Sequence, residues 1–389
     1  MNKEKKNFIN ILSCFLNVSA LDSFECDIRE LYRLCDIHDL GAVGAYVLKN
    51  AEINRIDKDI ASKFNQQIGK AVMNYEKREN AVKSVKKLFD STDTDHIFVK
   101  GAVVNKYYPV KEFRTSGDVD VIIRSDDYQR VLDDFKSRNV KFADISDNTL
   151  SVVAGGVNVE IHRGADADTP YFNNVFDMCS AKDKNTYILD EYEHLLYIIC
   201  HLAKHLAYRG AGIRMLMDVD VMIRHIDNFN EDVLYNISER AGLLKTAQAL
   251  LSLCNLWFDT PVNDCVDIKN NISLQDAFET VLIDGGCFGY ENNSVPANYI
   301  GEFDKNGNLP FSKRIKAIIK MAFPGAEYLT LAYPYAKKSK LLIPAAQINR
   351  LYDGLTKKSR QAKKSAKQVM AGSSVSKIQI DLLRELGIK

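Results

Sequence analysis

Through the first ~90 residues apolar positions recur every three to four residues, as in IRELYRLCDIHDLGAVGAYVLKNA and KRENAVKSVKKLFD, the period of amphipathic helices. No alternating run interrupts them. At HIFVK (96–100) the texture changes to a short β-prone run, and AVVNKYY (102–108) after Gly101 reads as a helical turn closed by Pro109. VDVIIR (119–124) predicts a strand, and SDDYQRVLDDFKSRN (125–139) a helix with Ser125 as its N-cap. VKFADI (140–145) predicts a further strand, and TLSVVA-GG-VNVEIHR (149–163) predicts two more in a hairpin turning at Gly155-Gly156.

From about residue 189 the helical period returns. EYEHLLYIICHLAKHLAY, RMLMDVDVMIRHI, EDVLYNISERAG and LLKTAQALLSLCNLWF fit successive packed helices. A Gly/Asn/Pro-rich connection follows at 285–310, and LYDGLTKKSRQAKKSAKQVM predicts a surface helix. The fold class is therefore α+β: a small mixed-sheet core between helical regions. The expected divisions are 1–90 (helical), 91–188 (sheet core), 189–310 (helices completing a cleft) and 311–389 (basic, helical).

Composition adds little to this, since 46% hydrophobic and 26% charged residues describe an ordinary globular chain of 389 residues. The opening MNKEKKNFINILSCFLNVSA reads as an amphipathic helix rather than a leader, and LLYIIC (195–200) is too short to span a bilayer. Eight cysteines lack any CxxC or framework spacing, which predicts reduced core thiols and a cytoplasmic setting. Charge does change the picture. Residues 311–389 carry 17 Lys/Arg against 4 Asp/Glu, a balance of +13, leaving −12 for residues 1–310. Either the tail meets an anionic partner such as nucleic acid, or it docks as a solvated surface on the acidic body of its own chain.

The candidate chemistry lies in RTSGDVDVII (114–123). Alternation puts Asp118 and Asp120 on one strand face, with Cα atoms roughly 6.5–7 Å apart. Two carboxylates so placed are either a solvated edge or ligands of a shared hard cation such as Mg²⁺. Glu160 of VNVEIH, on another alternating strand, offers a third carboxylate, and three can hold ions that stabilise phosphoryl transfer. Upstream, Lys100-Gly101 forms a turn between strand and helix, where glycine admits close approach of phosphate to backbone N–H groups.

Together FVKGAVVNKYYP, RTSGDVDVII and VNVEIHR resemble the uncharacterised bacterial nucleotidyltransferases of the DNA polymerase β-like superfamily. HLLYIICHLAKHLAYRG and MLMDVDVMI resemble that family's downstream helical region, so the match covers about residues 96–225. The resemblance implies that Asp118, Asp120 and Glu160 hold Mg²⁺ (or Mn²⁺) against a nucleoside triphosphate, ATP being the expected donor. A nucleoside monophosphate would pass to a hydroxyl acceptor, with Glu160 helping to deprotonate it and pyrophosphate leaving. One departure is Gly101-Ala102 where the broader superfamily has Gly-Ser or Gly-Gly, which removes a hydroxyl from the phosphate turn.

Around this centre the sequence offers further candidates for the nucleotide and its phosphates: Lys100, Gly101, Ala102, Arg114, Ser116, His162 and Lys204. Arg114 could grip phosphate or relieve the crowded carboxylates as a salt bridge, and Lys100 could contact phosphate or pair with an aspartate. His162 shares the face of Glu160 and could orient a carboxylate or bind substrate. His201 and His205 have zinc-compatible i,i+4 spacing but no third ligand nearby; cations facing phosphate are the alternative. Asp218 and Asp220 diverge around a helix, and Asp218 is expected to pair with a histidine or lysine of the preceding helix. The other function class that this pattern permits is an inactive nucleotidyltransferase-like protein that binds nucleotide or RNA.

Overall fold

The computed structural model describes residues 1–21, 26–50, 58–146, 148–167, 169–208, 210–287, 339–355 and 374–388, with isolated positions between 312 and 329. Four helices come first: α1 (Lys3–Leu16), α2 (Ile28–Ile37), α3 (Gly41–Asn50) and α4 (Lys58–Ser91). Asn2 and Asp27 cap α1 and α2 by accepting from N–H groups of the first turn. The sheet core holds β1 (His96–Val99), α5 (Gly101–Val104), β2 (Asp118–Ile123), α6 (Tyr128–Ser137), β3 (Phe142–Ser146), β4 (Thr149–Ala154), β5 (Val157–Arg163), β6 (Cys179–Ala181) and β7 (Thr186–Leu189). Helices return with α7 (Glu191–Tyr208), α8 (Ile213–His225), α9 (Glu231–Arg240), α10 (Leu244–Phe258) and α11 (Ile272–Phe278). Near the C-terminus lie α12 (Ile343–Leu355) and α13 (Ser374–Glu385).

The fold is α+β, with one seven-stranded mixed sheet in the order β3-β4-β5-β2-β1-β7-β6. β2 runs antiparallel to β1 and parallel to β5, which the Gly155-Gly156 hairpin folds back against β4. Both glycines have positive φ (58° and 83°), a conformation that a side chain disfavours.

Alternation along β2 and β5 divides their side chains between two cores. Val119, Val121 and Ile123 of β2 and Val157, Val159 and Ile161 of β5 pack with Ala81, Val85 and Phe89 of α4 and with α6. On the opposite face Ile122 joins the larger core, which unites α1–α3 with α7, α8 and α10. Asp118, Asp120, Glu160 and His162 are on that second face. The sheet's pleat thus aims them toward the later helices.

Several expectations need correction. Ser125 is not a helix cap: residues 125–127 form a 3-10 turn, and α6 starts at Tyr128 without a side-chain cap. Residues 164–189, where the pattern predicts no element, contain β6 and β7. β6 has only three residues, and β7, as short as β1, begins in the polar stretch KDKNT before the helix. Of the eight free cysteines, Cys14, Cys35, Cys200 and Cys254 are core thiols, but Cys265 is exposed. Most of the Gly/Asn/Pro-rich connection, and the expected surface helix beyond Leu355, lie outside the described residues. Among the described residues no helix is long and apolar enough to cross a membrane.

Candidate metal and nucleotide site

β-register builds the centre. Asp120 is the direct partner of Glu160 across the parallel β2–β5 pair, Asp118 is the partner of Asn158, and Val99 at the end of β1 is the partner of Asp120. Lys100, next after Val99, therefore enters beside the carboxylates. Its Nζ lies 2.8 Å from Asp120 Oδ1, with both side chains largely out of solvent. His162 Nε2 lies 2.9 Å from the same oxygen and 4.0 Å from Glu160 Oε2. The other ring nitrogen of His162 faces Thr149 Oγ1 at 3.2 Å.

Asp120, Glu160 and His162 bring ligand atoms within 4.8 Å of one another. Two carboxylates and an imidazole suit a divalent cation. Of the expected Asp118, Asp120 and Glu160, the last two belong to this close group and Asp118 does not, while His162 joins them.

Electrostatics separates the three acids. Burial alone would raise Asp120, but the Lys100 ammonium and the His162 contact hold its carboxyl well below the usual carboxylate range. For Asp118, burial and then the charge of Asp120 push the carboxyl up. Glu160 rises for the same two reasons, with Asp118 adding to them. One acid is thus firmly ionised, while two are held short of full compensation.

The Lys100–Gly101 turn is fixed from three sides. Lys100 has φ 53° and ψ −128°, and its N–H donates to Nε2 of the buried His194 on α7 at 3.3 Å. Burial lowers His194 to about 4, which leaves this nitrogen free to accept. A Cβ on Gly101 would stand 2.0 Å from Arg114 Nη1, so that position has no room for a side chain. The Ala102 methyl packs toward the α4–sheet core, away from the carboxylate face.

Arg114 bears on the paired aspartates through its charge, which pulls Asp118 down against burial, while its hydrogen bonds go elsewhere. Its Nε and Nη2 clamp Asp218 of α8 at 3.1 and 2.7 Å, and the Tyr108 hydroxyl donates to the same carboxylate at 2.7 Å. Asp218 thus pairs with arginine and tyrosine rather than a residue of α7. Nη1 of Arg114 is buried without a hydrogen-bond partner. The 114–116 loop is held from behind by Arg78, which donates to Arg114 O and Ser116 O, and by Arg214, which donates to Thr115. Ser116 Oγ donates to Asp118 O at 3.2 Å.

From α7, Lys204 pairs with Asp166 at 2.5 Å. Asp166, just after β5, is an acid that the sequence pattern did not single out; burial opposes its ionisation, but Lys204 and the nearby Lys100 and His162 hold its carboxyl below the usual range. His201 and His205 stack edge to face at 4.5 Å between centroids, and among the described residues they join no metal-ligand cluster. Burial, reinforced by Lys100, pushes His201 far below its ordinary range, and its Nδ1 is buried without a partner. Asp220 is unrelated to the centre: it accepts from Arg224 and Thr260.

A profile of the family described as "Uncharacterised nucleotidyltransferase" matches residues 25–259. The chain belongs to this family. The family match spans the helices before the sheet as well as those after it, and so includes every site residue described above. No curated protein matches the sequence. A solved structure described as "Structure of tRNA-processing enzyme complex 3" is similar at 11% identity, over 76% of this chain and 89% of that chain, with a TM-score of 0.23.

Proposed function

We propose that the protein transfers a nucleoside monophosphate from a nucleoside triphosphate, ATP being the expected donor, to a hydroxyl acceptor. The observation that carries this reading is the register of Asp120 against Glu160, which gathers Asp120, Glu160 and His162 within 4.8 Å in a chain of the nucleotidyltransferase family. A divalent cation there, Mg²⁺ or Mn²⁺, would supply Lewis-acid stabilisation of charge on the transferring phosphoryl group.

The chain's own residues do the rest. Asp120, Glu160 and His162 would hold the cation, with Asp118 two residues before Asp120 on the same face completing its charge. Lys100 and the backbone of Gly101 and Ala102 would receive the phosphates, and Lys204 would add positive charge from α7. Arg114 would hold the turn closed through Asp218, and Ser116 would fix the backbone of Asp118. The acceptor oxygen attacks the α-phosphorus, the bond from that phosphorus to the bridging oxygen breaks, and pyrophosphate carries away the electron pair. Glu160 would help take the acceptor's proton through the carboxylate oxygen that is not turned to the cation. Positioning and charge stabilisation would supply most of the acceleration.

The test is incubation of purified protein with labelled nucleoside triphosphates, a divalent cation, and panels of RNA, protein and small hydroxyl acceptors, read by mass. An adduct of one nucleoside monophosphate, lost in Asp120→Asn, supports the reading. The Lys100–Asp120 ion pair favours a second reading, a nucleotide-binding protein without turnover, because it sets an ammonium on a ligand oxygen. Nucleotide binding with no adduct on any panel would select it.

A further inference from the structure

Lys100 combines two features. Its ammonium is directed at a ligand oxygen of the cation cluster, 2.8 Å from Asp120 Oδ1, within a largely buried pair. Its backbone holds φ 53° and ψ −128°, a region that residues with a Cβ rarely occupy and glycine adopts without strain. A glycine would fit this turn, yet a lysine stands here, its N–H held by His194 Nε2. Such strain persists only where surrounding contacts fix it, and here the contacts are the buried aspartate and histidine.

We propose that Lys100 is a resident counter-ion that makes divalent-cation binding depend on the donor nucleotide. This rests on the nucleotidyl-transfer reading and deepens it. Without ligand, the ammonium neutralises Asp120 and repels a second cation at the same oxygen, since like charges a few ångströms apart in a partly dry site repel strongly. Triphosphate oxygens offer the ammonium stronger partners. Once Nζ turns to them, Asp120 joins Glu160 and His162 for the cation. Metal and nucleotide then bind with positive coupling, which by linkage is the same in either order.

The consequence can be read without turnover. Mn²⁺ is titrated into full-length wild type, Lys100→Gly and Lys100→Met, by calorimetry and by the loss of free-ion paramagnetic signal, with and without a non-hydrolysable ATP analogue. Lys100→Gly suits the backbone conformation but, like Lys100→Met, leaves Asp120 without its ammonium. The double variant Lys100→Met/Asp120→Asn and unfolding curves of all variants establish which of them are folded. Both single variants should bind Mn²⁺ at least about tenfold more tightly than wild type when nucleotide is absent, and the tightening of Mn²⁺ by nucleotide should shrink by a similar factor. Unchanged or weaker Mn²⁺ binding in folded variants, while wild type binds Mn²⁺ at a site abolished by Asp120→Asn, overturns the role of Lys100 and spares the metal reading. No Mn²⁺ binding by any of the three, with or without nucleotide, overturns both.

Discussion

Arg114 and Asp218 meet side-on across the boundary between the sheet core and α8, with Nε 3.1 Å from Oδ1 and Nη2 2.7 Å from Oδ2. Both side chains are nearly out of solvent, and Tyr108 closes the carboxylate from a third direction. The pair fastens the segment that carries Asp118 and Asp120 to the helical half of the molecule. Breaking it from one side leaves a buried charge alone. Asp218→Asn should therefore cost about 3–5 kcal/mol of stability. Denaturant unfolding of Arg114→Met, Asp218→Asn and the double variant should show the double variant losing clearly less than the sum of the singles.

Gly101 is required for space rather than for its backbone angles. A methyl there would collide with Arg114 Nη1, so Gly101→Ala must push the guanidinium off Asp218 or shift the turn. The expected cost is about 1–3 kcal/mol. In an Arg114→Ala background the same substitution should cost markedly less, a coupling that thermal or denaturant unfolding of the four-variant cycle measures.

Acid should destabilise the fold through two buried neutral histidines. Burial lowers both His38, which donates from Nε2 to Ile283 O, and His194 from the ordinary 6.5 to about 4. A depressed value means that the folded state resists taking a proton that the unfolded chain accepts. The stability so conferred is present above pH 6.5 and is lost as pH falls toward about 4, each histidine contributing about 3 kcal/mol over the full change. Stability profiles across this range should flatten in His194→Gln, which keeps an acceptor for the Lys100 N–H. An unchanged profile would show that burial does not depress His194 in the folded protein.

Much of the centre is legible in the sequence because strands have a strict period of two. That period alone places Asp118 with Asp120 and Glu160 with His162, and the Gly155-Gly156 hairpin fixes the direction of β5. The parallel pairing that sets Asp120 directly against Glu160 is a tertiary fact. So is the approach of His162 to Asp120 and Glu160: no local pattern tells how far a side chain reaches. Arg114 is the clearest miss. Its position four residues before Asp118 suggests a link to that acid, and its charge does act on Asp118, but its hydrogen-bond partner is 104 residues away on α8. Asp166 and His194 gave no signal, since one lies in an irregular segment and the other on the buried face of a helix that reads as ordinary core. β6 is hidden by its three-residue length, and β7 by its place directly against the start of α7.

The central claim is that Asp120 anchors a cation and, through it, a nucleoside triphosphate. Calorimetric titration of Mg²⁺-ATP into wild type and Asp120→Asn tests it most directly, since binding is read whatever the acceptor. Binding by wild type that is lost or weakened at least about a hundredfold in a folded Asp120→Asn protein, a difference of roughly 2.7 kcal/mol, is the predicted result. Equal binding by both proteins would contradict the account.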